Sequence, residues 1–220
     1  MIHSVVRPRK RSHNTPLALA GLGALAIAAS ISGGATTASP VGAAGRAAPP
    51  SDPQAIRSVD FGSLAQPGST CESGLRFTPP GRIPVSEGRS QILDLAQLTQ
   101  LVVDDDVAYG DLDGDGIEEA VVHVTCTYGA NGAEDTIDVY ALEGDTPVIA
   151  ATIDEPPDSL DSELPPAVQA AEVVGDQVVV TWSHYQEGDP RCCPSGQAQV
   201  PYALEDGELV AGEPEVTPAS

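Results

Sequence analysis

Hydrophobic residues follow a helical period in one segment near the middle of the chain. From Ser90 to Val102 they recur at steps of three and four residues, as one face of an α-helix requires. The apolar positions are Ile92, Leu95, Leu98, Leu101 and Val102. Ser90 stands where its hydroxyl can cap the first turn. The segment predicts one helix, which is short enough to need a sheet to bury its apolar stripe.

Beyond residue 105 the apolar residues alternate with polar ones or form short β-branched runs, which is typical of strands. Turn signals separate several runs, among them Glu143-Gly144-Asp145 and Asp206-Gly207. The acidic segment 154–166 carries four prolines and is predicted to be a surface loop. The predicted strands are 106–110, 118–127, 135–142, 147–153, 170–174, 177–185, 197–204 and 208–210. We therefore predict an α+β fold, mostly β, with an antiparallel β-meander sheet and one packed N-terminal helix.

The first 43 residues have the three parts of a secretory signal. A basic stretch (Arg7, Arg9, Lys10, Arg11) precedes an uncharged apolar run from Leu17 to Ile31, and small residues follow. Cleavage is expected after Ala38 or Ala43. The run of about 15 residues is shorter than the roughly 20 of a membrane-spanning helix, so no membrane span is expected. The first cysteine, Cys71, lies far beyond this run. The sequence therefore predicts a secreted protein, extracellular or in the cell envelope, that is not lipid-anchored.

Composition divides the remainder of the chain. Residues 44–57 are rich in Ala, Gly and Pro and are predicted to be a flexible linker, 58–210 a single β-rich domain, and 211–220 a disordered tail. After the signal, six arginines stand against all 32 acidic residues, a net formal charge of −26. Such a surface repels nucleic acid and anionic lipid and favours a monomer.

Four cysteines in an exported chain predict two disulfides. Adjacent residues lie about 3.8 Å apart at Cα, below the usual disulfide range. We therefore expect Cys71 and Cys126 each to bond one member of the adjacent pair Cys192 and Cys193, without deciding which. A zinc site formed by this pair with His184 is the alternative, but an oxidising compartment argues against it.

Carboxylates in the segment 107–124 are spaced as in a calcium-binding loop. Oxygen ligands at alternate positions suit a hard cation, and Gly116 permits the sharp turn that such a loop needs. An EF-hand would require a glutamate at the twelfth position, where this chain has Val122 inside a predicted strand. The predicted calcium ligands are the side chains of Asp111, Asp113, Asp115 and Glu119 and the backbone carbonyl of Ile117.

The loop resembles the FG-GAP type of calcium loop, in which a DxDxDGxxD stretch joins two strands. The resemblance implies a structural calcium ion that pins a hairpin. Position nine is Glu119 rather than aspartate, and the sequence holds no second copy, which excludes a propeller of repeats. The alternative is a polar hairpin turn whose aspartates cap the backbone. Five carboxylates between Asp111 and Glu119 repel one another unless a cation compensates, which favours the metal site.

A second motif lies near the C-terminus, where Asp189-Pro190-Arg191-Cys192-Cys193-Pro194 follows Trp182 and Tyr185. Together with the DGDG hairpin and the strand cysteine Cys126, it resembles the LppP/LprE family of actinobacterial cell-envelope proteins over residues 100–205. The resemblance implies a shared fold and an envelope location.

Catalytic motifs are scarce in this sequence. Two histidines remain after the signal, without a nucleophile elbow, a zinc-protease motif or a phosphate loop. His123 is interpreted as a surface residue, and it should project to the opposite face of its strand from Cys126. The alternative function is a secreted hydrolase that uses carboxylates between His184 and Asp189, with Glu187 among them. We favour an exported, non-catalytic envelope binding or structural module with an extracellular or cell-wall partner.

Overall fold

The computed structural model describes residues 52–71, 81–96, 98–129, 132–160, 162 and 164–218. The predicted signal, its cleavage sites and most of the predicted linker lie outside this part of the chain. Short 3-10 turns occupy Ala55–Ser58, Phe61–Ser63 and Gly68–Cys71. The strands are β1 (Gln66–Pro67), β2 (Arg82–Ile83), β3 (Val85–Ser86), β4 (Arg89–Ser90), β5 (Gln100–Val103), β6 (Ala108–Gly110), β7 (Glu119–Tyr128), β8 (Gly132–Glu143), β9 (Thr146–Ile153), β10 (Val168–Val174), β11 (Gln177–His184), β12 (Gly196–Glu205), β13 (Glu208–Ala211) and β14 (Glu215–Pro218).

Two antiparallel sheets contain most of the strands. The large sheet has the order β3-β4-β5-β7-β8-β9, and β6 pairs with the first part of β7 beside β5. The small sheet has the order β10-β11-β12-β13, and β14 pairs with the first part of β12. β1 and β2 form a separate two-stranded ribbon. The fold is thus mostly β with antiparallel pairing, as predicted, but the meander divides into two sheets after β9.

Residues on alternate positions of β7 enter two different cores. Val121 packs with residues of both sheets in one cluster, which includes Ile137, Trp182 and Tyr202. Its neighbours Ala120, Val122, Val124 and Cys126 point to the other face and pack with the N-terminal segments. The large sheet is therefore buried on both sides, by the small sheet on its inner face and by the N-terminal layer on its outer face.

The N-terminal layer is the group of segments from Ala55 to Ile83 that packs on the outer face of the large sheet. Ile56 and Ile83 are fully buried there, and Phe61 packs against Tyr140 with the rings tilted by 54° and their centroids 5.1 Å apart. The Tyr140 hydroxyl donates a 2.8 Å hydrogen bond to Oε1 of buried Gln66. The predicted linker boundary at residue 57 thus falls inside a segment whose Ile56 belongs to the core.

The predicted helix over Ser90–Val102 is wrong. Ser90 belongs to β4, and its Oγ accepts the backbone N–H of Leu101 in β5 instead of capping a helix. Between these strands the backbone turns back on itself, with Leu98 at φ 52°, which a helix cannot contain. Within the described residues the helical conformation is limited to the 3-10 turns. The three-and-four spacing arises because exposed leucines of a loop precede a strand in which Leu101 and Val103 are buried.

Replacing Leu95 and Leu98 together by serine should leave the free energy of unfolding unchanged within about 0.5 kcal/mol, as for surface positions generally. Leu95 is 80% exposed and Leu98 62% exposed, so neither side chain loses core contacts. Leu101→Ala is the matched control, because the 0% exposed Leu101 should cost about 2–5 kcal/mol. Urea denaturation checks both variants, and a large loss in the double serine variant would contradict the loop.

The C-terminal segment also differs from the prediction of a disordered tail over 211–220. Glu215–Pro218 forms β14, which pairs with β12 from Gly196↔Pro218 to Gln199↔Glu215. β13 pairs with the last four residues of β12, which leaves the first four residues of β12 free to pair with β14 on the same side. The folded region therefore extends to Pro218.

The disulfides differ from the expected cross-links. Cys71 bonds Cys126 with their Cα atoms 5.3 Å apart, and Cys192 bonds its neighbour Cys193 with Cα atoms 3.8 Å apart. The expected bonds from Cys71 and from Cys126 to the adjacent pair are both wrong, because Cys71 and Cys126 pack together on the outer face of the large sheet. The adjacent pair belongs to the turn between β11 and β12 in the small sheet, which covers the inner face. Cys71–Cys126 thus joins the N-terminal layer to the large sheet, whereas Cys192–Cys193 stays within one turn of the small sheet.

Among the described residues, no helix has the length and apolarity needed to cross a membrane.

Candidate functional site

The acidic loop joins β6 to β7, as the sequence predicts for a segment between two strands. Oxygen atoms of Asp111, Asp113 and Asp115 converge within 4.8 Å of one another. Gly114 and Gly116 have φ values of 76° and 88°, in the left-handed region that favours glycine. These two positions let the chain curl around the converging carboxylates. The sequence motif therefore brings together the three aspartates that it predicted as ligands.

Backbone N–H groups of the loop hold the aspartates in place. Asp111 accepts from Gly114 through Oδ1 at 2.8 Å and from Gly116 through Oδ2 at 3.0 Å. Asp113 Oδ1 accepts the N–H of Asp115, and Asp115 Oδ1 accepts the N–H of Ile117. The second carboxylate oxygens of Asp113 and Asp115 accept no hydrogen bond from the described part of the chain. Two negatively charged atoms are thus left available to a ligand.

Glu119, the ninth position of the loop, is almost fully buried at 4% exposure. Its Oε2 accepts the backbone N–H of Leu112 at 2.8 Å, whereas Oε1 has no hydrogen-bond partner among the described residues. Burial, with added repulsion from Asp113 and Asp115, raises the pKa of Glu119 to about 7. The carboxylates that converge within 4.8 Å are those of Asp111, Asp113 and Asp115, and Glu119 is not among them. The Glu119 carboxyl is near enough for their charges to raise its pKa, and it is buried where a bare negative charge is unfavourable. Ile117 adjoins the same loop, and its carbonyl remains a predicted ligand.

The neighbouring Glu118 belongs to a different interaction. Arg57 binds its carboxylate at 2.5 and 3.1 Å, and Gln54 Nε2 donates to it at 2.9 Å. The Arg57 guanidinium also lies 4.6 Å from the ring centroid of Tyr109. The hydrogen bond from Arg57 holds the pKa of Glu118 below its ordinary value. Four of the five loop carboxylates therefore have no basic partner among the described residues, and the fifth, Glu118, docks the N-terminal layer onto the loop.

An open cleft of about 830 Å³ lies beside the acidic loop. The β8–β9 and β12–β13 hairpins form its other walls, and the charged residues that line it are all acidic. The acidic residues are Asp113, Asp115, Glu119, Glu143 and Asp206. The larger apolar residues are Ile117, Leu142, Val148, Ile149 and Leu204. The cleft combines an apolar wall with negative charge on three separate segments, which the sequence reasoning did not find.

His123 is not the surface residue that we predicted. Its side chain is 16% exposed, and its Nε2 lies 2.9 Å from Asp135 Oδ1, while Nδ1 lies 3.5 Å from Asp104 Oδ2. Thr125 Oγ1 donates to the same Asp135 oxygen at 2.9 Å. The other Asp135 oxygen accepts the N–H of Val168 in the small sheet. The prediction that His123 and Cys126 face opposite sides of their strand is consistent with this arrangement.

The segment from His184 to Asp189, the alternative catalytic region, forms a pinned turn. Asp189 Oδ2 accepts the backbone N–H groups of Gln186 and Ser195, both at 2.8 Å, and the Ser195 hydroxyl at 2.9 Å. These N–H groups hold the pKa of Asp189 below its ordinary value. Glu187 is exposed. Asp189 therefore has a structural role in this turn, and no observation favours a paired acid and base there.

Comparison with known proteins gives one match. The model of the LppP/LprE lipoprotein family matches residues 160–207, from the loop before β10 to the turn after β12. This stretch contains the predicted Asp189–Pro194 motif and is less than a quarter of the 220 residues. No curated protein and no solved structure matches the chain. The match suggests a cell-envelope protein whose role is unknown.

The match also corrects one prediction. The expectation that the protein is not lipid-anchored rested on the distance between the apolar run and the first cysteine. It is contradicted because the matching family is a family of lipoproteins.

Proposed function

We propose that this chain is an exported, non-catalytic binding module of the cell envelope, in which the acidic loop holds a structural calcium ion. The observation that carries the proposal is the convergence of Asp111, Asp113 and Asp115 within 4.8 Å. The similarity of residues 160–207 to the LppP/LprE lipoprotein family supports the envelope location.

The donor set fits a hard cation. Every candidate ligand is an oxygen, and calcium takes six to eight oxygen ligands in flexible arrangements. Asp111, Asp113, Asp115 and Glu119 would hold the ion, with the carbonyl of Ile117. Three carboxylate oxygens among these residues have no hydrogen-bond partner in the described part of the chain, on Asp113, Asp115 and Glu119. A plain polar turn would leave them mutually repelling, with Glu119 buried beside the aspartates.

Calcium would supply positive charge at this place and fix the β6–β7 connection. The side chains of β7 pack in both cores, and Glu119 is the first residue of this strand. An ion bound at Glu119 would therefore fix the start of a strand on which both cores depend. Arg57 and Gln54 attach the N-terminal layer to the adjacent Glu118. An ion in the loop would therefore order the junction between the large sheet and the N-terminal layer.

The cleft beside the loop is the surface at which this module would bind a partner. Asp113, Asp115 and Glu119 belong to both features. Glu143 and Asp206 lie on separate hairpins and keep the cleft negative when the loop carries an ion. Charge complementarity then favours a positively charged group on an extracellular or cell-wall partner.

Adding about 10 mM calcium to chelator-treated protein should raise the melting temperature by about 3–10 °C. Extracellular calcium modules commonly have dissociation constants of about 10⁻⁴–10⁻³ M. This calcium concentration would then stabilise the folded state by about 1.4–2.7 kcal/mol, and each kcal/mol shifts the melting temperature of a chain this long by about 2–4 °C. Differential scanning calorimetry with calcium and with EDTA measures the shift.

Asp113→Asn should abolish this rise, because it removes one converging charge and keeps the Oδ1 acceptor that Asp115 uses. In EDTA the variant should be at least as stable as the unaltered protein, since charge repulsion falls. Asp176→Asn, at an exposed turn between β10 and β11, is the matched control and should keep the full rise. An identical melting temperature of the unaltered protein in calcium and in EDTA would contradict the proposal.

A further inference from the structure

The disulfide between Cys192 and Cys193 lies at the surface, in the turn that connects β11 to β12. Both cysteines are exposed, and their Cα atoms are 3.8 Å apart because they are neighbours in the chain. The other disulfide joins Cys71 to Cys126, and both of those residues are 0% exposed within the core. The chain therefore carries one disulfide that solvent reaches and one that it does not.

The exposed disulfide contributes little to the stability of the fold. A disulfide stabilises chiefly by closing a loop in the unfolded chain, and the gain grows with the number of residues enclosed. Cys192 and Cys193 enclose no residue between them, whereas Cys71 and Cys126 are 55 positions apart. The chain-entropy effect thus explains how the buried disulfide stabilises the fold. It gives the exposed disulfide no comparable stabilising role.

The turn around the exposed disulfide is held by other contacts. Asp189 Oδ2 accepts the N–H groups of Gln186 and Ser195 and the hydroxyl of Ser195, which joins the two ends of the turn. The Tyr185 hydroxyl donates to the carbonyl of Arg191 at 3.0 Å. The N–H of Cys193 donates to the carbonyl of Pro190 at 2.9 Å. None of these contacts uses a sulfur atom, so the turn keeps its anchors when the S–S bond opens.

We propose that Cys192–Cys193 is a thiol–disulfide exchange site whose substrate is a dithiol. A thiolate of the dithiol attacks the Sγ atom of one cysteine, the Cys192–Cys193 bond breaks, and a mixed disulfide forms. The released cysteine thiolate takes up a proton. The second thiolate of the dithiol then attacks its own sulfur in the mixed disulfide and releases the other cysteine, which is also protonated. Two electrons and two protons pass to the protein, and the dithiol leaves as a disulfide.

Access decides which of the two disulfides reacts. The attacking sulfur must reach a disulfide sulfur along the S–S axis, which solvent exposure allows at Cys192 and Cys193. Cys71 and Cys126 are enclosed by the N-terminal layer and β7, so they react only when the outer core opens. Exchange at the exposed site is therefore local and leaves the fold in place.

The arginines of the chain make the two disulfides separable by trypsin. Cleavage gives residues 58–76 with Cys71, residues 90–191 with Cys126 and residues 192–220 with both adjacent cysteines. The folded protein is treated with increasing concentrations of dithiothreitol, and the thiols that form are alkylated with iodoacetamide. The protein is then digested with trypsin, and the masses of the peptides are measured by mass spectrometry. Half-alkylation of 192–220 should need at least about ten-fold less dithiothreitol than half-alkylation of 58–76.

Three further measurements distinguish exchange at this site from general reduction. At the dithiothreitol concentration that reduces Cys192–Cys193 completely, the melting temperature of the protein should be unchanged. Cys192→Ser/Cys193→Ser should melt at the same temperature and oxidise no dithiothreitol under these conditions. Cys192→Ser alone should show one thiol that reacts with Ellman's reagent in the folded state. Alkylation of 58–76 at the same concentration as 192–220, or a fall in melting temperature on reduction of the exposed pair, would overturn the proposal.

Discussion

Replacing Cys71 and Cys126 together by alanine should lower the free energy of unfolding by about 4 kcal/mol. The disulfide joins residues 55 positions apart, and a loop of this size corresponds to about 4 kcal/mol in the chain-entropy relation. Both cysteines are 0% exposed and pack in the outer core, so the side chains also lose contacts. The disulfide fastens the N-terminal layer to β7.

Urea denaturation followed by tryptophan fluorescence measures the loss, because the single Trp182 lies in the inner core. Cys192→Ala/Cys193→Ala removes the same number of sulfur atoms from the exposed pair and should change the free energy of unfolding by less than about 0.5 kcal/mol. A loss below about 1 kcal/mol in the first variant, or an equal loss in both, would contradict the separation of roles between the two disulfides.

The strands after residue 105 could be predicted because their information is local. The predicted runs 147–153 and 177–185 correspond to β9 and β11 with differences of one residue at an end. Alternation of side chains between two faces and turn signals at the ends define such strands without reference to the remainder of the fold. The division into two sheets could not be predicted in this way. It occurs after β9, where the chain leaves the large sheet through a loop whose sequence does not specify its destination.

The helix error shows how tertiary packing outweighs a local period. In the segment 90–102, exposed Leu95 and Leu98 happen to stand at helical spacing from buried Leu101. The same segment also fits a loop followed by a strand, because Leu101 and Val103 are two apart and both are buried against the N-terminal layer. Burial of one alternate face of β5, combined with hydrogen bonds to β4 and β7, favours the strand.

The candidate site was predictable where its residues are close in sequence. Asp111, Asp113 and Asp115 are in one loop, so their spacing alone brings them together. The separate roles of Glu118 and Glu119 were not predictable, because the partner of Glu118 is Arg57, 61 positions away. The cleft depends on two hairpins of different sheets and has no signature in any single segment.

The interaction between His123 and Asp135 could have been found from the hairpin register. β7 and β8 are joined by a short connection, and His123 pairs with Ile137 while Thr125 pairs with Asp135. Asp135 is thus the diagonal neighbour of His123 on the inner face. Composition gave no sign of this pair, since acidic residues are common throughout the chain.

Asp135→Ala should lower the free energy of unfolding by about 2–3 kcal/mol at pH 5.5. Asp135 is 12% exposed and accepts from His123, Thr125 and the backbone of Val168, so its removal leaves three partly buried groups without their acceptor. The contact to Val168 crosses from the large sheet to the small sheet. The variant should therefore weaken the attachment of β10 to the inner core. Urea denaturation measures the resulting loss in the free energy of unfolding.

The loss should be smaller at pH 8.5, because the charge on His123 contributes only while it is protonated. Burial acts to lower the pKa of His123, but the hydrogen bond and charge of Asp135, with the charge of Asp104, outweigh it and raise the pKa above 6.5. This contribution is complete below pH 6.5 and is lost as pH rises through the raised pKa. Burial acts to raise the pKa of Asp135, but His123, Thr125 and Val168 hold it below 3.8. Its contribution is present above pH 3.8 and is lost as pH falls through the lowered pKa.

The effect of Asp135→Ala should therefore be largest between about pH 3.8 and 6.5, the interval in which both groups are charged. Asp135→Asn keeps an oxygen acceptor for Val168 and removes the charge, so its loss should be smaller than that of alanine and should carry most of the pH dependence. Asp154→Ala, at an exposed position just after β9, is the matched control and should have little effect at either pH. Equal losses for Asp135→Ala at pH 5.5 and 8.5 would mean that the His123 charge does not stabilise the fold. The hydrogen bond from Val168 would then account for the attachment of the two sheets at this point.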